Sequence, residues 1–442
     1  MNGCKPSGVA ERARHNIVRP YFLLSRLRAE KRCATNHYSA SVGGGWSVFF
    51  WLKTRNRGQS SRVKHSYRCW AEVDLSALRE NLAWLRHRVG PEVKIMTVVK
   101  ADAYGHGLKQ IAALLMQNGT DVFGVANLAE AHSIRSVGRG WPILMLGACL
   151  PDEVEVAVRD AVMPSLSTVD EARWFSEAAV KARRTVEVQV KVDTGMGRLG
   201  VEPDQARELV ERIQALPGLK IAGLFTHYSS VEDDADFSQR QSDALVRLVK
   251  ELAAAGMVIP LVHANNSGAL LLQPETVFNL VRPGLLVYGV VPPGSRSMDS
   301  ALQQHLRPAL SLKCRVSLVK DIPRGKPLSY GHAFISSCPM RVATLTAGYG
   351  DGYLRAGSNR AEVLVGGKRC RVLGNITMDQ MIVDVTKSPE AKSGDEAVLI
   401  GRQGAEEITA VDVARWFNTI PWEILTGITY RVPRLYLGGH AA

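Results

Sequence analysis

A single lysine, a tyrosine and a glycine-histidine-glycine turn follow an apolar run in Val98-Val99-Lys100-Ala101-Asp102-Ala103-Tyr104-Gly105-His106-Gly107. The run Val93–Val99 reads as a short strand buried on both faces, the kind found in parallel sheets. Lys100 stands at its carboxyl end, where α/β proteins place their chemistry. A lysine that loses its proton by desolvation there can form an imine with a carbonyl. The bland alternative is a surface lysine closing a strand, and the decapeptide alone does not separate the two. Polar residues recur after later strand-like runs. Lys191-Val192-Asp193-Thr194-Gly195-Met196-Gly197-Arg198 is one such set, and Thr226-His227-Tyr228 is another. His263, Asn265, Asn266 and Ser267 follow, and then Arg282-Pro283-Gly284. A lone histidine after a strand is more often a satisfied structural group than a catalyst. Many such donors at equivalent points of a repeating unit are harder to explain that way.

The inventory is cationic and suits an anionic ligand. Ser267, with the glycines at 284 and 289, offers hydroxyl and backbone N–H donors to a phosphate. Arg282 can aim a charge-assisted donor at a ring or a carboxylate. An imine-forming lysine beside a phosphate cradle points to pyridoxal phosphate. No carboxylate cluster has metal-site spacing, and His106, His227, His263 and His332 share no ligand pattern, so no metal is expected. The seven cysteines are scattered, with no Cys-x-x-Cys, which favours a reducing compartment over a disulfide framework.

The elements that must hold these residues alternate. Strand-like runs fall near 94–99, 122–126, 143–147, 162–166, 186–192, 221–225, 261–264 and 280–284. Helical periods cover Ala77–Arg88, Leu108–Gln117, Leu128–Ser136, Val169–Ala182, Pro203–Leu216 and Phe237–Ala255. Eight strands alternating with helices over ~210 residues is the plan of a (β/α)8 TIM-like barrel, and the donors above all lie on its active rim. An open doubly wound sheet would use fewer strands, often with a glycine-rich turn that is missing here. After about residue 305 short β-rich runs are broken by Gly, Pro and Asp, with one late helix at Ala410–Phe417. The expected division is 69–305 as an α/β barrel and 306–442 as a mostly β domain.

The chain has 442 residues and a net charge of +13. Residues 1–68 contain only Glu11 and Glu30 as acids and carry about +12 of that charge, which leaves the remainder nearly neutral. No electrostatic footprint for nucleic acid remains on the globular part. The stretch 1–68 lacks sustained periodicity and reads as a basic, disordered extension or a mis-assigned start rather than a targeting peptide. Its apolar piece Trp46–Leu52 is too short to span a bilayer, and no membrane partner is expected.

Val98–Gly107 resembles the pyridoxal-phosphate attachment signature of alanine racemases. The resemblance extends over nearly all of residues 69–436. It is carried by Lys191–Gly200, Thr226-His227, His263-Ala264-Asn265-Asn266-Ser267, Arg282-Pro283-Gly284, Ser329-Tyr330-Gly331, Gly348-Tyr349-Gly350-Asp351-Gly352, Met378-Asp379 and Tyr430-Arg431-Val432-Pro433-Arg434. It implies a cytoplasmic homodimer that interconverts L- and D-alanine by a two-base mechanism and supplies D-alanine for peptidoglycan. A broad-specificity or serine racemase of the same fold is the alternative.

The resemblance also implies residue roles. Lys100 holds the cofactor and acts as one base; Tyr330, from the partner subunit, is the other. His227 packs on the cofactor ring, and Arg282, held by His263, bonds the pyridine nitrogen. Tyr104, Ser267, Gly284, Leu285 and Tyr430 bind the phosphate, and Asn266 belongs with these cofactor contacts. Arg198 and the partner's Met378 N–H hold the substrate carboxylate. Lys191 matches a lysine that is often carbamylated and then positions Arg198, and Tyr349 and Asp379 support the site. His332 is a candidate partner for the Tyr330 phenol. Two departures from the family pattern stand out: Gly350 where alanine is common, and Asn375 where arginine is common.

Overall fold

The computed structural model describes residues 67–272, 278–294 and 305–438. The basic extension therefore lies almost wholly outside the described residues, as does part of the segment between the two expected domains.

Eight short parallel strands build the barrel: β2 (Lys94–Val98), β3 (Val122–Val125), β4 (Ile143–Met145), β5 (Ser165–Leu166), β6 (Val186–Lys191), β7 (Leu219–Phe225), β8 (Leu261–His263) and β9 (Leu280–Val281). They pair in register as β9-β2-β3-β4 and β5-β6-β7-β8. A bridge between Leu144 and Met163 joins β4 to the approach of β5. The circle closes where the Arg282 amide donates to the Asn265 carbonyl at 2.8 Å. All eight expected strands are present, several of them shorter at one end. Met96, Val122, Leu144, Met163, Ala222, Phe225 and Leu280 fill the barrel interior as one apolar cluster. Burying each of the larger of these contributes about 1.5–3 kcal/mol.

Helices pack outside, and their ends follow local chemistry. Asp74 caps Leu75–Val89 by accepting from the Ser76 and Ala77 amides at 2.8 and 3.1 Å. Thr168 and Glu171 form a reciprocal capping box at the start of Val169–Ala182. Three helices escaped the periodicity, Val154–Arg159, Ser267–Leu272 and, in the second part, Pro421–Thr426. Each is only six residues long, too short for a 3.6-residue period to declare itself.

The second part is a nine-stranded sheet organised on the long strand β10 (Leu310–Ile322). It also holds the strands Met340–Leu345, Glu362–Val365, Lys368–Leu373, Met381–Asp384 and Glu396–Gln403. The strand Cys69–Asp74 (β1) precedes the barrel in sequence but is hydrogen-bonded in this sheet. It lies antiparallel to β10 and parallel to Arg434–Leu437. Sequence order groups it with the barrel; register gives it to the β domain, because both its neighbours are strands of that domain. The helix Ala410–Phe417 forms over the expected span, and Pro421–Thr426 follows it. No described helix is long and apolar enough to cross a membrane.

Candidate active site

Lys100 stands two residues past the end of β2 at the carboxyl rim, and the four residues after it are left-handed. Ala101, Asp102, Ala103 and Tyr104 have φ between 52° and 54°. Left-handed L-residues cost roughly 1–2 kcal/mol each, so such a turn persists only when it is held from outside. Glu130 accepts from the Ala101 and Ala126 amides, both at 2.7 Å. Asp102 accepts from the Leu108 amide at 2.7 Å. Gly105 passes against the Leu425 carbonyl, where any side chain would collide. The turn aims Tyr104 inward, where its ring stacks on Tyr288 at 4.9 Å. Burial lowers the Lys100 pKa, aided by the nearby Arg198 charge and opposed by Glu130. Burial pushes the Tyr104 phenol up, so it stays protonated as a donor.

Arg282 lies buried at the other side of the cleft with both terminal nitrogens of its fork engaged. One terminal nitrogen donates to His263 Nδ1 at 2.5 Å; the other donates to the Thr226 and Ala264 carbonyls at 2.8 and 2.9 Å and to His227 Nδ1 at 3.1 Å. Since His263 accepts at Nδ1, its Nε2 carries the proton and donates to Gln189 Oε1 at 2.6 Å. Desolvation pulls the Arg282 pKa down to about 10, which still leaves it charged at neutral pH. Burial, then the Arg282 charge, push both His227 and His263 well below the usual histidine range, so both are neutral.

Lys191 sits between these groups at only 5 % exposure, its ammonium 4.6 Å from the centre of the Phe225 ring. Desolvation, followed by the charges of Arg282 and Arg198, brings its pKa down to about 7. Among the described residues no carboxylate pairs with it. Asp193 is spent on the next loop, where it accepts from the amides of Gly195, Met196, Gly197 and Arg198. That loop presents Arg198 to the cleft.

These side chains converge. One cleft of about 400 Å³ is lined by Lys100, Tyr104, Lys191, Arg198, His227, Asn266, Ser267, Arg282, Gly284 and Leu285. Ser267 Oγ accepts from the amides of Gly284 (2.9 Å) and Leu286 (3.4 Å), which leaves its own hydroxyl proton to donate. A Cβ on Gly284 would lie 2.5 Å from the Tyr104 hydroxyl, so only glycine keeps that corner open. A larger cleft of about 1000 Å³ opens at the amino ends of β4–β6. Three of its arginines are occupied: Arg135 donates to the carbonyls of Trp141, Asp160 and Ala161, Arg184 to those of Val158 and Arg159, and Arg159 to the Asp160 carboxylate. The chemistry resides in the smaller cleft.

The β-domain residues fall elsewhere. Tyr330 is 75 % exposed, Met378 is 52 % exposed and Tyr430 is 98 % exposed, and none lines this cleft. His332 makes no hydrogen bond to the Tyr330 phenol among the described residues. Tyr349 and Met378 share a brace, in which the Tyr349 amide donates to Thr377 O at 3.0 Å and the Gly350 amide to Met378 O at 2.8 Å. Asp379 and Asp351 both pair with Arg431, at 2.5 and 2.9 Å.

Sequence reasoning missed Gln189, Glu130 and Trp422. Gln189 faces into the barrel by strand alternation and was legible in principle; Glu130 looks like any first-turn helix acid. Trp422 lines the cleft together with Tyr104, from the late helix Pro421–Thr426, more than 300 residues away in sequence.

The residues fit an anionic carbonyl cofactor. The cleft offers an amine of lowered basicity, a buried cation with fixed orientation, and a corner of backbone amides and hydroxyls kept open by Gly284.

Two family descriptions match the chain: alanine racemase, N-terminal domain, over residues 73–292, and alanine racemase, C-terminal domain, over residues 309–436. An alanine racemase of Methylacidiphilum infernorum is 41% identical over 369 residues, spanning 84% of this chain and 92% of that one. One from Halothermothrix orenii is 39% identical over 83% of this chain and 96% of its own. The crystal structure of alanine racemase from a D-cycloserine-producing Streptomyces lavendulae superposes with TM-score 0.80 at 37% identity, covering 85% of this chain and 99% of the other. That of Bartonella henselae, with covalently bound pyridoxal phosphate, gives 0.75 at 28% identity over 84% and 100%.

Proposed function

The chain belongs to the alanine racemase family, and from that premise we propose how its own residues interconvert L- and D-alanine with pyridoxal 5′-phosphate. One observation carries the reading: a buried Arg282, fixed on four acceptors and still charged, faces a lysine of lowered basicity across one cleft. When bound, the cofactor supplies an aldehyde that condenses with amines and a ring that withdraws electrons from the α-carbon, acidifying its C–H bond.

The residues divide the remaining work. Lys100 Nζ carries the cofactor at rest and, once released, takes or returns the α-proton on one face. Its lowered pKa leaves more of the free base at neutral pH. Tyr104, Ser267 and the Gly284 and Leu285 backbone cradle the phosphate, with Asn266 beside them. His227 lies neutral against the ring. Arg282 keeps its proton at the ring nitrogen, because a guanidinium held near pKa 10 is a poor acid at pH 7. By withholding that proton Arg282 would leave a bound ring a moderate electron sink and would limit proton return at carbons other than Cα. Arg198 binds the substrate carboxylate. Lys191, neutral in about half of the molecules at pH 7, takes up CO2 as a carbamate and holds Arg198.

The second base is Tyr330 of a second copy of the chain, with the Met378 N–H of that copy on the substrate carboxylate and Tyr349 and Asp379 in support. The exposure of Tyr330 and Met378, away from their own chain's cleft, supports a homodimer of this kind. Tyr430, exposed and outside its own chain's cleft, is assigned to the phosphate on the resemblance alone. The role is the cytoplasmic supply of D-alanine to peptidoglycan.

The test is to incubate the purified holoprotein with L-alanine and with L-serine in deuterated water, following α-deuteration and the D-enantiomer. Deuterated D-alanine supports the reading, and faster turnover of serine supports the broader racemase. Cofactor bound without any D-alanine would overturn it.

A further inference from the structure

We propose that Asn375 is a positioning residue for the second base, setting the place of Tyr330 relative to the Met378 amide. The inference rests on the assignment of Tyr330 above and adds what holds it.

Tyr330 stands in an awkward turn. Ser329, Gly331 and His332 have φ of 63°, 67° and 50°. For the non-glycine residues this conformation must be imposed by surroundings. The phenol contributes nothing, since its hydroxyl has no hydrogen-bond partner among the described residues and the residue is 75 % exposed. Its location is therefore set by the backbone.

Asn375 holds that backbone from both sides. Its side-chain Nδ2 donates to the Tyr330 carbonyl at 2.8 Å. Its own carbonyl accepts from Ser329 Oγ at 2.6 Å. Two bonds of opposite sense, to adjacent residues, fix both the distance and the rotation of the intervening peptide. The neighbours leave little slack. A Cβ on Gly374 (φ +73) would lie 2.7 Å from Ser329 Cβ, so the two segments touch. Asn359 spans them again, donating to the Ala333 carbonyl at 2.9 Å and accepting from the Gly374 amide at 2.6 Å.

Three residues beyond Asn375 lies Met378. The stretch between is itself pinned, with Ile376 N donating to Ser358 Oγ at 3.0 Å. Asn375 thus joins the arm that carries the base to the arm that carries the carboxylate-binding amide. The proton to be moved sits on the carbon attached to that carboxylate, so this junction fixes the distance from base to proton. Misplacement of a reacting group by about 1 Å can cost on the order of 100-fold in rate.

The test uses the holoenzyme with Asn375→Ala, Asn375→Asp and Ser329→Ala. Asn375→Asp keeps the size but replaces the donor with an oxygen facing the Tyr330 carbonyl. Turnover and the primary isotope effect are measured with α-deuterated L-alanine and, separately, α-deuterated D-alanine. Tyr330 removes the α-proton from one enantiomer and only returns one to the other. Displacing it slows that transfer alone. A kcat drop of about 10- to 100-fold is expected, with the isotope effect rising for L-alanine and falling towards unity for D-alanine. Asn375→Asp should match or exceed Asn375→Ala, and Ser329→Ala should shift the isotope effects the same way by less. Equal loss in both directions with unchanged isotope effects, or wild-type kinetics in Asn375→Asp, would overturn the proposal. Should Asn375→Ala not fold, Ser329→Ala decides by the same isotope criterion. Tyr330→Phe run alongside separates the two levels. If it keeps racemase activity, the assignment of Tyr330 fails; if it loses activity while the isotope effects of the other variants stay fixed, only the role of Asn375 fails.

Discussion

Bicarbonate should act on this enzyme through Lys191. At its ordinary pKa near 10.4, roughly one lysine in several thousand is neutral at pH 7. At about 7, half of the Lys191 amines are neutral. Only the neutral amine attacks CO2, forming a C–N bond and releasing a proton to solvent, so the reactive fraction rises about a thousand-fold. The product is an anion in a place where the Arg282 and Arg198 charges act. Without it, the side chain is a liability. The unfolded chain binds the more protons at this position between pH 7 and about 10.4, so stability climbs with pH across that window and is lowest below about 7. The full span is on the order of 4–5 kcal/mol for a side chain only 5 % exposed. Carbamylation converts the cost into an attraction. Raising bicarbonate at pH 7.5 should therefore raise the melting temperature by a few degrees and lower the KM for alanine, by ordering Arg198. With 13C-bicarbonate, a carbamate carbon should appear in the NMR spectrum and vanish in Lys191→Met, along with the bicarbonate response. An undiminished response in Lys191→Met, or no carbamate signal in the native enzyme, would refute the reasoning.

Two further outcomes follow from the cleft. Gly284→Ala places a methyl group 2.5 Å from the Tyr104 hydroxyl. Overpacking of this kind costs about 1–3 kcal/mol, which should appear as weaker cofactor binding in a titration of the apoenzyme, while an unchanged affinity would show that the corner is not used. Acid should destabilise the fold through its buried histidines. Burial pushes His106 down to about 4, and His227 and His263 are also lowered. Below about pH 6.5 the unfolded chain takes up protons that the folded chain refuses, so stability present above 6.5 is lost on acidification at up to about 1.4 kcal/mol per pH unit for each histidine. Denaturant titrations at pH 7, 6 and 5 check this, and a flat profile would show that these rings are protonated in the fold.

Much of this architecture was legible in the chain because its elements obey periodicity. All eight barrel strands and the helices Leu108–Gln117 and Val169–Ala182 fall where apolar spacing puts them. The rim donors were legible for the same reason, since each follows a strand. What stayed hidden depends on contacts between distant residues. The left-handed turn after Lys100 has no local signature, because Ala101 and Ala103 do not favour positive φ and are held there by Glu130 and Leu425. The membership of Cys69–Asp74 in the β sheet is set by pairing with Leu310–Ile322, more than 230 residues away. Lys191 drew its supporting role from the resemblance, whereas the cause of its lowered pKa, burial beside two arginines, came from the fold. Tyr330 and Met378 gained meaning from sequence resemblance, whereas the physical hint, exposure far from their own cleft, came from the fold.

In the proposed dimer each active site takes Lys100 from one copy of the chain and Tyr330 from another. Mixing Lys100→Ala protein with Tyr330→Phe protein under exchange conditions tests it directly. Each variant alone should be inactive. A hybrid dimer then contains one site with both bases intact, and random exchange of equal amounts should restore about a quarter of native racemase activity. If both bases come from the same chain, every site in the hybrid lacks one of them, and a mixture as inactive as its parents would overturn the shared site.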